Sequence, residues 1–355
     1  MKKLYISAIT AALLASSAIA SDEIKAAGGT ISGDVTLYGY TQSVDSGADN
    51  GYTNGSVGIG YESDSMNGFK ASIAARANVE ISEENDGDYG DGEDFAVSTA
   101  NISYSNDAFT VVAGRQAIDL EWIGDYHTAL VGVITAIPDT TIVVGHTEEF
   151  MAVDADAPLS EMTDIGADGA EVIDVKYTMG ETTINPYFMN ATDIFSAYGL
   201  KVSTQAAGLG ITAQYAATSE DIAGTEDGSI MHLELSKDIE SISLTAGYVT
   251  TDKDGGTGSI SALGDNIDPF EDGGNTYGVD SDTIYVSAST ELSGLSLGAF
   301  YGSSSYADST DSEFYLTAGT TIADSIDLEA IYASTINEDS TTDSDKLAVT
   351  LTYSF

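Results

Sequence analysis

The segment 114–127 concentrates residue types that could hold an ion or a polar solute. It contains one guanidinium, three carboxylates, and three aromatic or imidazole rings: Arg115, Asp119, Glu121, Asp125, Trp122, Tyr126 and His127. Charged groups at the narrow point of a channel select ions by sign. The segment is therefore a candidate constriction, and the alternative is a charged cap on an outer rim.

Arg115 is the basic residue of this segment. Its rigid, permanently charged fork of donors could fix Asp119 or Glu121, or bind a passing carboxylate. Period-two alternation from Phe109 directs Arg115 away from the polar side, so an inward position requires a bulge near Gly114. We expect the inward position.

No segment predicts an enzyme. The only imidazoles are His127, His146 and His232, and no Gly-x-Ser-x-Gly elbow accompanies them. The chain has no cysteine, which excludes disulfides and thiolate metal sites. Residues 86–94 alternate carboxylates with glycines, as calcium loops do, but lack the spacing that ends on a bidentate Glu. We therefore expect no cofactor; calcium bound by acidic loops is the alternative to a solvated loop.

The last strand shows what kind of element must position these groups. Along residues 345–355, large apolar side chains alternate with small polar ones and end on an aromatic: Leu347, Val349, Leu351, Tyr353 and Phe355 form the apolar face. This pattern suits a strand with lipid on one side and water on the other. It also resembles the closing strand of bacterial outer-membrane barrels, whose terminal aromatic is part of the assembly signal. We assign that role to Tyr353 and Phe355.

The first twenty residues predict a cleaved secretory signal. Lys2 and Lys3 precede an apolar stretch, and Ala18-Ile19-Ala20 matches the small-x-small cleavage pattern. Residues 21–355 are then one domain. Without the signal, 9 basic residues stand against 57 acidic ones, a net charge of −48. This balance excludes nucleic acid as a partner, because binding phosphates requires basic patches. The 20 tyrosines and 42% hydrophobic residues argue against disorder.

Alternating segments of about 8 to 12 residues recur along the whole chain, the length that a transmembrane strand requires. We count eighteen of them. Short turns alternate without exception with long, acidic, glycine-rich loops, if 190–195 counts as a modest loop. In an outer-membrane barrel, every second connection is short because the turns at one end are tight and the loops at the other end are long. A soluble sandwich has no reason to show this regular alternation. The predicted fold is an all-β, transmembrane antiparallel barrel with short periplasmic turns and long extracellular loops.

The faces of several strands follow from the same alternation. Phe69, Ile73 and Val79 belong to an apolar row that predicts lipid contact, and the basic residues lie on the opposite face. A charge facing lipid at mid-depth costs about 2–4 kcal/mol, so these residues should line a wet lumen. The basic wall consists of Lys70, Arg76, Lys176 and Lys201. It should face the carboxylates of segment 114–127 and create a transverse field. Strands 108–115 and 281–292 alternate poorly, and their faces stay unassigned.

Two runs in the first half resemble a known family. Residues 114–122 (Gly-Arg-Gln-Ala-Ile-Asp-Leu-Glu-Trp) and 134–143 (Ile-Thr-Ala-Ile-Pro-Asp-Thr-Thr-Ile-Val) look like the Opr-type porins of epsilonproteobacteria, the group of the major outer-membrane porin. Residues 185–187 with 195–201 resemble that group's middle barrel, and residues 251–255 with 264–266 resemble its large seventh loop. The resemblance implies an eighteen-stranded passive diffusion channel, usually trimeric. It carries no substrate specificity, because this chain has fewer basic residues than the basic-amino-acid-specific members.

The sequence thus predicts a general or weakly selective porin in the outer membrane that prefers cations. The expected partners are outer-membrane lipids and lipopolysaccharide, the barrel-assembly machinery, small hydrophilic solutes and ions, and two further copies in a homotrimer. An exported acidic adhesin or surface-layer protein is the alternative. A barrel-embedded hydrolase would need a serine–histidine pair, which the three histidines do not supply.

Overall fold

A computed structural model describes residues 24–26, 28–264, 267–307, 309–323, 325–338 and 342–355. The predicted signal peptide, 1–20, lies outside them. The strands are β1 Ile24–Ala26, β2 Gly29–Val44, β3 Asn50–Ser63, β4 Phe69–Glu83, β5 Phe95–Ser105, β6 Phe109–Ala117, β7 Tyr126–Ile134, β8 Thr140–Met151, β9 Thr163–Asp164, β10 Ala170–Met179, β11 Thr182–Ala191, β12 Phe195–Ala206, β13 Leu209–Glu220, β14 Ser229–Ile239, β15 Ile242–Thr251, β16 Ser281–Leu292, β17 Leu295–Tyr306, β18 Ser309–Ile322, β19 Ile326–Ile336 and β20 Ser344–Ser354. A short 3₁₀ helix covers Gly258–Leu263.

The strands close on themselves. Each pairs antiparallel with its neighbour in the chain, β8 pairs with β10 past the two-residue β9, and β2 pairs with β20 from Asp34↔Ser354 to Val44↔Ser344. Apart from β1 and β9, eighteen described strands form the barrel. Closure removes the unpaired edge that an open sheet would present. The predicted fold class and strand number are confirmed.

Connections at the two ends of the barrel differ in length, as predicted. One end carries tight turns such as 180–181 and 293–294, and the other carries loops such as 152–169 and 252–280. Three connections at the loop end are no longer than the turns: 45–49, 192–194 and the one between β17 and β18, the last of which the sequence did not predict. β17 runs to Tyr306 and β18 starts at Ser309, so two long strands replace the expected loop there.

The outer surface is an apolar belt. On β20 the side chains of Leu347, Val349 and Leu351 are exposed, whereas Ala348 between them is buried. β4 exposes Phe69, Ile73 and Val79 as predicted. The alternation is equally clear in β16, where Ile284 and Val286 are exposed and Tyr285 is buried. In the described residues, no helix has the length and apolar character needed to cross a membrane.

The principal buried cluster lies inside the barrel rather than between two layers. It joins loop residues to inward-facing strand residues: Ile118, Leu120, Trp122 and Ile123 from one loop, Ile260, Leu263, Ile267 and Phe270 from another, and Tyr187, Tyr285, Phe300 and Tyr315 from the wall. A wide barrel lumen is normally polar and wet. Apolar side chains can point inward here because the folded loops cover them and exclude water.

Candidate functional site

The third loop (118–125), between β6 and β7, folds into the barrel as a small hairpin. Ile118 N–H donates to the carbonyl of Asp125, and Leu120 and Ile123 pair between them. Trp122 and Asp125 adopt left-handed backbone with φ of 64° and 68°. Such conformations are costly for residues other than glycine and persist where the surroundings enforce them.

The tip of this loop binds the inner wall at β11–β13 through Glu121 and Trp122. The Glu121 carboxylate accepts from Lys201 Nζ at 3.0 Å and from Gln214 Nε2 at 3.1 Å. Trp122 is fully buried, and its Nε1 donates to Tyr187 Oη at 3.0 Å. Lys201, Gln214 and Tyr187 lie near the middle of three consecutive strands, β11–β13, so the loop tip lies against the inner wall rather than capping the rim.

A glycine on the adjacent strand positions Tyr187. Gly199 pairs directly with Tyr187, and a Cβ on Gly199 would lie only 2.2 Å from Tyr187 Cζ. The tyrosine ring therefore lies flat over the glycine backbone, a close approach that any side chain would block. This places the hydroxyl where Trp122 and Gln214 both donate to it.

The fourth loop (152–169) folds onto the other side of the lumen, against β3–β5. Asn78 donates to the carbonyls of Asp154 and Ala157, and Asn54 donates to that of Ala155. Farther along the loop, Leu159 is fully buried. Buried amides that bind backbone carbonyls fix a loop in place because the alternative is unpaired polar groups away from water.

The seventh loop (252–280) crosses to β17, β18 and β20. Its Phe270 ring packs edge-on against Phe300 at 5.8 Å. Buried Glu313 accepts three consecutive backbone N–H groups, those of Glu271 at 2.6 Å, Asp272 at 2.8 Å and Gly273 at 2.6 Å. Several N–H donors converging on one carboxylate form strong, charge-assisted bonds.

Lys346 is the second anchor of the seventh loop. Its Nζ lies 2.7 Å from Asp272 Oδ1 and 4.0 Å from Glu271 Oε1. The third and seventh loops also touch, because Gly124 N–H donates to the carbonyl of Leu263. The three inward loops thus narrow the lumen together.

Of the predicted basic wall, the structure brings two residues to the third loop. Lys201 binds Glu121, and Lys176 lies within electrostatic range of Asp119. Arg76 lies elsewhere around the barrel, on β4, with its guanidinium on both carboxylate oxygens of Asp34 at 2.7 and 2.9 Å. The basic groups are therefore distributed around the lumen rather than collected on one wall, and Arg76 and Lys201 are paired with carboxylates.

Lys70 lies near the turn end of β4 and pairs with Glu62. Arg115 donates to the carbonyl of Val97 at 2.8 Å, whereas the predicted partner Glu121 is bound by Lys201 and Gln214. The predicted bulge near Gly114 is absent, since β6 pairs in continuous register with both neighbours through that residue. The bulge that an inward Arg115 was expected to require is therefore not present, and a pore-lining role for Lys70 and Arg115 stays a prediction.

Asp119 is the exposed carboxylate of the third loop. Partial desolvation inside the barrel raises the pKa of Asp119, as does the charge of Glu121, while Lys176 and Lys201 oppose the rise. Asp125, the third predicted carboxylate, closes the hairpin through its backbone.

The acidic loop 86–94 makes local contacts. Asp88 accepts from the backbone N–H of Asn85 and of Gly51, and these bonds lower the pKa of its carboxyl. Within the described ranges, no group of three or more histidine or acidic side chains is arranged for a metal ion. Calcium binding stays a prediction.

Two of the histidines are buried in hydrogen-bonded pairs. His127 contacts Thr147 Oγ1 and the carbonyl of Gly124, and His232 contacts Tyr285 Oη. His146 lies 3.9 Å from Glu171.

No protein-family model matches the chain. No curated protein sequence matches it either. Solved structures do match: OccAB4 of Acinetobacter baumannii has a TM-score of 0.77 at 11% identity, covering 93% of this chain and 98% of that one.

Two Pseudomonas aeruginosa proteins are similarly close. OpdQ has a TM-score of 0.76 at 12% identity, covering 94% of this chain and 99% of that one. OpdK, solved with vanillate, has a TM-score of 0.73 at 14% identity, covering 92% and 98%. The fold is that of an outer-membrane porin. At these identities the likeness shows the fold alone, and the resemblance to Opr-type porins of epsilonproteobacteria stays a prediction.

Proposed function

We propose that this chain is an outer-membrane porin, a water-filled channel through which small hydrophilic solutes and ions diffuse. The observation that carries the proposal is the closed barrel with an apolar outer belt and a charged lumen narrowed by three loops. Lumenal side chains keep access to water, since those of Arg76 and Lys201 are 17% and 28% exposed. A soluble adhesin gains nothing from such a belt, which in water would drive aggregation.

We propose further that the channel prefers cations. The charged side chains at and around the three inward loops include eight carboxylates and four basic groups: Asp34, Asp119, Glu121, Asp154, Asp156, Glu271, Asp272 and Glu313 against Arg76, Lys176, Lys201 and Lys346. A lumen of net negative charge concentrates cations at its narrow point.

Reversal potentials across a bilayer in a potassium chloride gradient are expected to show cation preference at pH 7. Because its pKa is raised, Asp119 takes up a proton at a higher pH than an ordinary aspartate. The preference should therefore begin to fall early as the pH is lowered. Asp119→Asn should weaken the preference at neutral pH. The control Asp221→Asn, in an outer loop, should not, since exposed charges are screened beyond about 8 Å. Anion preference of the parent channel would contradict this proposal.

Assembly is proposed to depend on the closing strand. Phe355 exchanges backbone hydrogen bonds with Gly33 at 2.8 and 2.9 Å, and its ring lies beside that of Tyr353 at 6.0 Å. Phe355→Asp should sharply reduce the assembled barrel while export continues, whereas Phe355→Tyr should assemble. Heat-modifiable migration in detergent gels of outer-membrane fractions measures this. Equal accumulation of the Asp variant would show that the terminal aromatic is not a signal.

Lipopolysaccharide, the barrel-assembly machinery and a homotrimer belong to the same proposal. OpdK was solved with vanillate, and this acidic ligand is not carried over to the present chain, because the narrow region here is net negative.

A further inference from the structure

Four tyrosines form a continuous aromatic surface at the loop end of the lumen. Tyr38 and Tyr40 lie on β2, Tyr52 on β3 and Tyr89 in the loop after β4. Ring centroids are 5.9 Å apart for Tyr38–Tyr52, 4.8 Å for Tyr40–Tyr52 and 5.1 Å for Tyr52–Tyr89. Tyr40, Tyr52 and Tyr89 are half-buried, so part of each residue is accessible to solvent. We call this set the tyrosine surface.

Carboxylates from two inward loops converge on the tyrosine surface. The fourth loop crosses it where Tyr52 Oη donates to the carbonyl of Asp156 at 2.7 Å. Asp156 from that loop, and Glu271 and Asp272 from the seventh, act electrostatically on Tyr38. Aromatic faces carry negative quadrupole potential, so rings and carboxylates attract the same kind of ligand.

An ammonium group already occupies part of this environment. Lys346 reaches in from β20, and its Nζ lies 5.3 Å from the ring centroid of Tyr40 and 2.7 Å from Asp272 Oδ1. The lysine side chain is an alkylammonium group that lies between an aromatic face and a carboxylate. It thus shows the kind of ligand that the tyrosine surface can bind.

We propose that the tyrosine surface, with Asp156, Glu271 and Asp272, is a binding subsite for the ammonium group of organic cations passing through the channel. The inference rests on the proposed channel function and specifies its solute class. Aromatic faces bind alkylated, weakly hydrated ammonium groups better than small metal ions, because small metal ions require several oxygen ligands. Solutes enter from the loop end and exchange with the Lys346 ammonium at Tyr40.

Single-channel recording with choline added on the loop side tests the subsite. Choline is expected to interrupt the potassium current, whereas its uncharged carbon isostere, 3,3-dimethylbutanol, leaves the current unchanged. The Tyr40→Leu, Tyr52→Leu double variant should show an about tenfold weaker choline block, from the loss of two desolvated cation–π contacts. Tyr198→Leu, which removes a tyrosine from the outer belt, is the matched control and should block as the parent does.

Two further variants separate the ring face from other contributions. Tyr40→Phe keeps the face and should keep the choline block; loss of block there would mean that the hydroxyl binds, as for a sugar, and would overturn the proposal. Lys346→Met removes the tethered competitor and should strengthen the block, because Glu313 still holds residues 271–273. An unchanged or weaker block would overturn the exchange.

The two proposals fail in different ways. A barrel that passes no potassium current contradicts the channel function. A barrel that conducts potassium but is not blocked by choline, or is blocked equally by the neutral isostere, contradicts the subsite alone.

Discussion

Replacing Glu313 with glutamine is expected to release the seventh loop from the lumen and to raise the single-channel conductance. The glutamine has nearly the same shape but loses the charge and turns an N–H₂ group toward backbone donors that need an acceptor. Removing one partner from a buried, charge-assisted contact costs about 3–5 kcal/mol. The Lys346–Asp272 pair would then be the remaining ionic anchor of residues 271–273, and a partly exposed pair of that kind contributes about 0–1 kcal/mol. The current should become larger and noisier.

Asp311→Asn is the matched control for this experiment. Asp311 lies on the same inward face of β18, two residues before Glu313, but it bonds with Tyr306 and with the backbone of Glu338 rather than with residues 271–273. Its neutralisation should leave the loop in place. If Glu313→Gln assembles with the parental conductance, or if both variants change it equally, then Glu313 does not hold the loop.

The barrel could be predicted from the sequence because its determinants are local. Each membrane strand must alternate apolar and polar residues in period two. Leu347, Val349 and Leu351 therefore identify the outer face of their strand without any information about the rest of the chain. The same rule gave the inward faces of β4, β10 and β12. The exception at β17–β18 arose because an inward row rich in serine looks like a loop when burial is unknown.

The packing inside the lumen depends on distant partners and could not be predicted. The contacts of Glu313 join residues 40 to 42 positions apart, and those between β3 or β4 and the fourth loop span 76 to 104. The third loop was located because its charged and aromatic residues are adjacent in sequence. Of the two wall residues that bind Glu121, Lys201 was predicted from the sequence and Gln214 was not.

Tyrosines of outer-membrane barrels are typical of the two membrane interfaces, and several of them line the lumen here instead. A sequence signal for this exists in retrospect. Tyr187 and Tyr285 pair with Gly199 and Gly247, and a ring lying over a glycine on the next strand points to the packed face. Lys346 also had a signal, because it shares its alternating face with inward Ala348.

The positions of β-bulges could not be predicted from local sequence. Gly114 suggested one, but its φ of 115° is accommodated without an extra residue. The observed irregularity in the pairing of β4 and β5 lies between Ala74 and Ala75, in a run that alternates well.

Trp122→Ala is expected to loosen the third loop and, through it, the seventh. The indole is fully buried, bonds with Tyr187 Oη and packs edge-on against Tyr277 of the seventh loop at 5.9 Å. Truncating a buried tryptophan to alanine costs about 3–5 kcal/mol. Most of this loss falls on loop packing, because the strand hydrogen bonds of the barrel are untouched. The variant should therefore keep its heat-modifiable gel migration while its conductance rises and fluctuates.

Combining this variant with Glu313→Gln decides whether the two loops act as one unit. If the two loops pack cooperatively, either substitution alone removes most of the obstruction of the lumen. The conductance increase of the double variant is then smaller than the sum of the increases of the two single variants. Contacting residues are expected to be non-additive in this way, whereas independent ones add. Trp122→Phe keeps most of the buried area and loses only the N–H, so its conductance should lie close to that of the parent. Strict additivity would mean that the two loops narrow the pore separately, despite the Gly124–Leu263 bond between them.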